Sequence, residues 1–130
     1  MDLTMKIAII SIKGEYVEKI FSGEKKWEFR KTRIWADKYL IYETAPTKKI
    51  VGEFYTRWVG EGTPEVIYAE TCLDGAGIGY DKYFEYFNGK KTAFAYEIIN
   101  PKKYENAIPL SAFGLKRPPQ SFCYLKGGER

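Results

Sequence analysis

The stretch GEKKWEFRKT, residues 23–32, sets three ionisable side chains at spacings that suit chemistry: Lys25, Glu28 and Arg30. A lysine acts as a nucleophile or base where burial lowers its pKa, and is otherwise a phosphate contact or a surface charge. A glutamate accepts from an exocyclic amine, as carboxylates do with cytosine N4. An arginine grips phosphate or carboxylate with two parallel donors. Lys26, Glu28 and Arg30 share one parity of the chain, and Trp27 and Phe29 the other. In a strand that alternation turns the rings to the core and the charges outward. The outward row reads either as a solvated sheet face or as the wall of a site.

The rest of the composition narrows the chemistry. With 0 His among 130 residues, Ser-His-Asp and Cys-His catalysis and the usual histidine metal sites are excluded. Of the 2 Cys, Cys72 and Cys123, neither belongs to a CxxC pair. They predict buried thiols in a reduced, cytoplasmic protein that needs no metal and no cofactor. The apolar run IAIISI is too short for a membrane span. Aromatics reach 17%, which fits a small core filled by large side chains or rings that stack on nucleobases.

Two further groups join the candidates. Lys13 closes the first apolar run and is either a neighbour of the Lys25 motif or a solubilising lysine at a strand end. In LKRPPQSFCYL the two prolines stiffen an extended segment. Gln120 and Ser121 then face a base edge, or the segment simply packs Phe122 and Tyr124. Residues 101–130 hold six basic and two acidic side chains, +4, which is the net charge of the whole chain. Such a segment follows a phosphate backbone or is merely solvated. GAGIG lacks the Gly-Lys-Ser/Thr ending of a phosphate loop and reads as a hinge, a lid or a helix break.

The elements that must position these residues follow from periodicity. MKIAIISIK predicts a buried strand. GEYVEKIFSG carries Tyr16, Val17, Ile20 and Phe21 at helical spacing and stops at Gly23. Strands are expected over DKYLIYET, over KIVGEFYTRWVGEG as one long strand with a bulge or close approach at Gly52, and over TAFAYEIINPKKY as far as Asn100-Pro101. Thr63 and Pro64 open a second helix, and Asp81 is a candidate cap for a third that stops at Gly89. Residues 1–130 are thus expected to form one α+β domain whose small mixed sheet curls toward a barrel with helices on one side, ending in an irregular basic segment over 101–130. Met1 and Met5 are alternative natural starts.

A strand ending in SIK, the helix EYVEKIFSGEK and the strand KWEFRK together resemble the ASCH domain, a branch of the PUA-like superfamily. Its pattern of helix, Gly-x-Lys and an alternating strand with Glu and Arg corresponds to Gly23, Lys25, Glu28 and Arg30. The resemblance implies a PUA-like β-barrel flanked by helices, with a cleft that binds RNA or a modified nucleotide. Lys13, Lys25, Glu28, Arg30 and Gln120 would line that cleft, and the basic tail would hold phosphates. It also implies an alternative: small members of the family hydrolyse N4-acetylcytidine without a metal, using a Lys, a Thr three residues later and an acid from the helical region. Lys25 matches that lysine, Glu28 stands where those enzymes carry Thr, and Glu70 or Asp74 would supply the acid.

Overall fold

The strands separate into two hydrogen-bonded sheets, and the cleft expected from the sequence lies where they diverge. The computed structural model describes residues 5–125. Met1, Lys126, Glu129 and Arg130, which bear on the start and on the charge of the tail, lie outside the described residues. The larger sheet holds β1 (Ile7–Ile12), β3 (Lys38–Glu43), β4 (Lys49–Tyr55), β7 (Ile99–Ile108) and β8 (Phe122–Tyr124) in the order β7-β4-β3-β1-β8. The smaller holds β2 (Trp27–Arg30), β5 (Val59–Gly62) and β6 (Ala93–Glu97) in the order β2-β6-β5. The β1–β3 pair is parallel and the other pairs are antiparallel. Among the described residues no ladder joins the two sheets, so the mixed α+β architecture curls without closing into a barrel.

Helix α1 (Gly14–Ser22) buries Val17 and Ile20. It ends where Gly23 takes the left-handed conformation at φ 87° and its N–H returns to Ile20 O, the usual way a glycine satisfies a last-turn carbonyl. This stop releases the chain as Lys25 and aims it into β2. Helix α2 (Pro64–Thr71) starts with the Thr63 hydroxyl accepting from Val66 N at 3.2 Å. Helix α3 (Tyr80–Tyr86) has Gly79, not Asp81, at its cap position. Asp81 instead lies in the first turn, where a carboxylate still favours the helix dipole.

Three expectations need correction. The single strand expected over residues 49–62 is two, because residues 56–58 carry the chain from the larger sheet into the smaller. The strand expected to stop at Asn100-Pro101 is likewise two elements, β6 and β7, separated only by Ile98. The segment from Pro101, expected to be irregular, continues as β7 to Ile108. Pro101 is tolerated there because β7 is an edge strand and the register against β4 slips between Glu53–Lys102 and Tyr55–Ile99, with Asn100 at φ 50°. Edges and bulges are where a sheet accepts proline. Gly52 does sit at a close approach: a Cβ there would press on Lys102 O and the Phe21 ring.

Three apolar clusters hold the layers together. The first fills the space between the sheets and α1 with Ile10, Ile12, Val17, Ile20, Ile41, Phe54 and Tyr96. The second packs Trp27 and Phe29 against Ile67, Tyr83 and Phe87 from the α2–α3 layer. The third covers the far face of the larger sheet around Ile9, Leu40 and Ile50. Strand β2 therefore has one face in the second cluster and the other turned to the space between the sheets. Of the charges expected to face outward, Lys26 is exposed, while Glu28 and Arg30 are in fact buried.

Candidate functional site: a cleft built around a buried lysine

Lys25 leaves the Gly23 stop one turn past α1, and its side chain is only 4% exposed. Its Nζ donates to Ala76 O at 3.0 Å and stands 3.8 Å from Glu28 Oε1. The ammonium lies 4.9 Å from the Phe29 ring centroid and 5.5 Å from that of Tyr16, within range of the attraction between a cation and a ring face. Burial lowers its pKa from 10.5 to about 8; Glu28 opposes that shift, and Arg30 and Lys19 add to it. A lysine in that range is about one-tenth neutral at pH 7, against well under a thousandth for an ordinary lysine, and so can act as a base or nucleophile.

Glu28 and Arg30 are also buried, at 6% and 8% exposure. The Glu28 Oε2 atom accepts from Arg30 Nε at 2.9 Å and lies 2.7 Å from Arg30 Nη2. The rest of the guanidinium is spent on the fold. Nη2 donates to Ser11 O at 2.8 Å, and Nη1 donates to Ser121 Oγ at 3.2 Å and Ser121 O at 3.4 Å. Ser11 in turn donates from N to Ser121 O and from Oγ to Pro119 O. Arg30 thus ties β2 to the end of β1 and to the chain entering β8. Glu28 is the internal counter-ion between Arg30 and Lys25. Both residues were expected either to line a cleft or to form a solvated face; the structure places them in the cleft wall and gives their polar atoms protein partners, which a buried charge requires.

Around this core opens a cleft of about 700 Å³. The structure brings Lys13, Lys25, Glu28, Arg30 and Gln120 together in its lining, with Lys31 and Lys82 on the rim. Lys13, Lys31, Lys82 and Gln120 are exposed, so their heads are available to a ligand. Glu70 and Asp74 are exposed and absent from the lining. The carboxylates that do line the cleft are Glu15, Glu28 and Glu85. Among the described residues no group of three or more Cys, Asp and Glu is placed to hold a metal ion, and no helix is long and apolar enough to cross a membrane. Cys72 and Cys123 are half-buried, not sealed in the core as expected.

The sequence marks GAGIG as a hinge, a lid or a helix break without linking it to Lys25. GAGIG folds over it: Gly75 and Gly77 have φ of 85° and 69°, a region that favours glycine. A Cβ on Gly77 would overlap the Lys25 side chain. Lys26 N donates to Gly75 O at 2.7 Å, fastening the loop to the chain leaving α1. The two glycines one residue apart were the available signal. Tyr16 and Tyr86 also line the cleft, and burial raises the pKa of both phenols.

The profile of the ASCH domain matches residues 10–107. An "ASCH domain-containing ribonuclease" of Zymomonas mobilis subsp. mobilis is 30% identical over 135 residues, covering 95% of this chain and 87% of that protein. The crystal structure of ASCH from Zymomonas mobilis superimposes with a TM-score of 0.83 at 26% identity, covering 95% of this chain and 91% of that one. Two mutants of it give 0.85 and 0.84. The chain also resembles portions of much longer proteins of Ureaplasma parvum. It is 29% identical over 120 residues to ATP synthase subunit alpha and 36% over 87 residues to large ribosomal subunit protein uL22. Those matches span only 15% and 28% of the respective proteins.

Proposed function

The chain belongs to the ASCH domain family, and on that premise we propose that it binds single-stranded RNA in the Lys25 cleft and cleaves it without a metal. The observation that carries this reading is Lys25: a nearly inaccessible lysine, poised to lose its proton near pH 8, in the wall of an open cleft with basic side chains at its mouth. The similarity to a protein named a ribonuclease supports RNA as the substrate class. Lys13, Lys31 and Lys82 hold phosphates as point charges, and Gln120 offers a donor and an acceptor to a base edge. Neutral Lys25 accepts the proton of a ribose 2′-OH. The 2′-oxygen attacks the adjacent phosphorus, and the P–O5′ bond breaks, the departing 5′-oxygen taking a proton from water at the open cleft, to leave a 2′,3′-cyclic phosphate and a 5′-OH.

A second reading, hydrolysis of N4-acetylcytidine, is favoured by the same lysine in the same motif. Its helical acid would have to be Glu15 or Glu85, which line the cleft, since neither Glu70 nor Asp74 reaches it.

Purified protein incubated with fluorescein-labelled single-stranded RNA in EDTA separates the two. The expected outcome is cleavage to cyclic-phosphate ends at a rate that climbs as pH rises through about 8. Lys25→Ala should abolish cleavage while retaining RNA binding. Intact RNA together with deacetylation of N4-acetylcytidine would replace the first reading with the second. RNA left unbound at low salt would defeat the nucleic-acid reading.

A further inference from the structure

A second hollow of about 390 Å³ lies beyond the loop that joins β2 to β3, lined by Lys6, Arg33, Trp35, Ala36, Asp37, Thr56, Arg57, Trp58 and Val59. It holds two large exposed rings, Trp35 at 59% and Trp58 at 51%. Exposed indoles are costly to leave in water and are uncommon without a use. Three basic residues line the hollow against one acid, Asp37, which accepts from Lys6 N at 3.0 Å. The Arg33 guanidinium stacks 3.8 Å above the Trp35 ring. Its Nε is buried with no hydrogen-bond partner among the described residues, so this cation is met by a ring face and not by a carboxylate.

The hollow is held firmly. Tyr96 pins the loop from beneath, accepting from Ile34 N at 2.6 Å and donating to Thr32 O at 2.9 Å. Trp35 N donates to Tyr124 Oη at 3.0 Å. The Trp58 ring stands edge-on to Trp27 at 5.5 Å and lies over Gly60, where a Cβ would press on it. Both indoles are therefore pre-positioned and lose little freedom on taking a ligand. The loop also connects the two concavities. Lys31 and Thr32 line the Lys25 cleft, and Arg33, Trp35, Ala36 and Asp37 line the hollow.

We propose that the Trp35–Trp58 hollow is a second nucleotide subsite, taking an unpaired base on an indole face and its phosphate on Arg33, Arg57 or Lys6, for an RNA strand that crosses the loop from the Lys25 cleft. Rings that stack any base, interleaved with arginine and lysine, are the chemistry of single-strand recognition. The subsite rests on the RNA reading of the cleft.

The test uses a fluorescein-labelled octaadenylate and four proteins: wild type, Trp35→Ala, Trp58→Ala, and the cleft-rim pair Lys31→Ala with Lys82→Ala. Loss of one base–indole stack should weaken octamer binding about 5- to 150-fold in either tryptophan variant. Unlabelled octamer should also quench wild-type tryptophan emission, since Trp27 is buried and the other two rings are open. Because Trp35 and Trp58 are exposed, thermal melting should show both variants folded; Arg57→Ala supplies a milder variant expected to weaken binding in the same direction. Full affinity in the tryptophan variants with affinity lost in the rim pair overturns the second subsite and leaves the cleft reading standing. Affinity lost in the tryptophan variants and kept in the rim pair overturns the cleft reading and leaves the hollow as the binding site. Equal affinity in all four proteins, with no quenching, overturns both.

Discussion

Lys25 carries a cost that its environment does not cancel. Its pKa falls from 10.5 to about 8 because burial penalises the ammonium more than Glu28 supports it. Between those two pH values the unfolded chain binds more protons than the folded one, so stability rises with pH. Below about pH 8 the whole cost is present, on the order of 3 kcal/mol at ~1.4 kcal/mol per pKa unit. Lys25→Met removes the charge but leaves Ala76 O without its donor, an unmade bond costing about 1–3 kcal/mol. The expected balance is a variant that is inactive yet at least as stable at pH 7, by up to about 2 kcal/mol. Its advantage should shrink as pH climbs from 8 to 10.5. Urea denaturation of both proteins at pH 7 and pH 10 measures this, and a difference independent of pH would refute the lowered pKa. At this scale the sequence was only half legible. The parity of Trp27 and Phe29 read correctly because both periodicity and ring type belong to one local strand. The burial of Glu28 and Arg30 did not, because Arg30 finds its partners, Ser11 and Ser121, 19 residues upstream and 91 downstream of itself. A local pattern carries no trace of such partners, and unpaired charges on a strand ordinarily signal water.

The loop GAGIG matters at the scale of elements, since it closes one wall of the cleft from between two helices. It is neither a phosphate loop nor a mere helix break. Its carbonyls receive Lys25 Nζ at Ala76, Lys26 N at Gly75 and, more loosely, Lys19 Nζ at Gly77. Gly77→Ala asks an L side chain to adopt φ near 69° and to occupy the space of the Lys25 stem. Strain of that kind costs on the order of 1–3 kcal/mol. The variant should melt lower, and cleavage should fall because Lys25 is displaced, whereas Gly79→Ala, with nothing near its Cβ position, should leave cleavage unchanged and lower the melt only by the weaker helix cap. Thermal melts and RNA cleavage by the two variants, side by side, decide it; equal behaviour would show that the loop does not set the position of Lys25. The helix stop at Gly23 and the Thr63 cap were legible because caps are written within four residues. The partition of residues 49–62 and 93–108 into two sheets was not. A strand crossing from one sheet to another keeps its β-propensity throughout, and only the pairing partners change.

Charge acts over the whole molecule, and the fold redistributes what the sequence had gathered into one terminal block. Lys102 and Lys103 lie on β7, paired with β4 at one edge of the larger sheet, while the cleft opens beside β1 and β8 at the other. Strand β1, whose end lines the cleft, stands three strand spacings of about 4.8 Å from β7, roughly 14 Å measured along the sheet. That is beyond a Debye length at physiological salt, about 8 Å, so Lys102 and Lys103 are poorly placed to hold an RNA seated in the cleft. On the proposed RNA reading, the phosphate contacts would fall to Lys13, Lys31 and Lys82 at the rim. Lys82 is only weakly engaged elsewhere, 3.7 Å from Glu15 in an exposed pair, a kind of contact that contributes little. With three or four phosphates neutralised, log K against log salt should slope at about −0.7 per contact, or roughly −2 to −3 in all. Lys31→Ala with Lys82→Ala should flatten that slope by about 1.4, the share of two contacts. Lys102→Ala with Lys103→Ala should leave it unchanged. Fluorescence anisotropy of a short labelled RNA at several salt concentrations, with the three proteins compared, measures each slope directly. A slope that flattens in the Lys102 and Lys103 variant and not in the rim variant would place the strand along β7, and the cleft would then have to act on a ligand smaller than RNA.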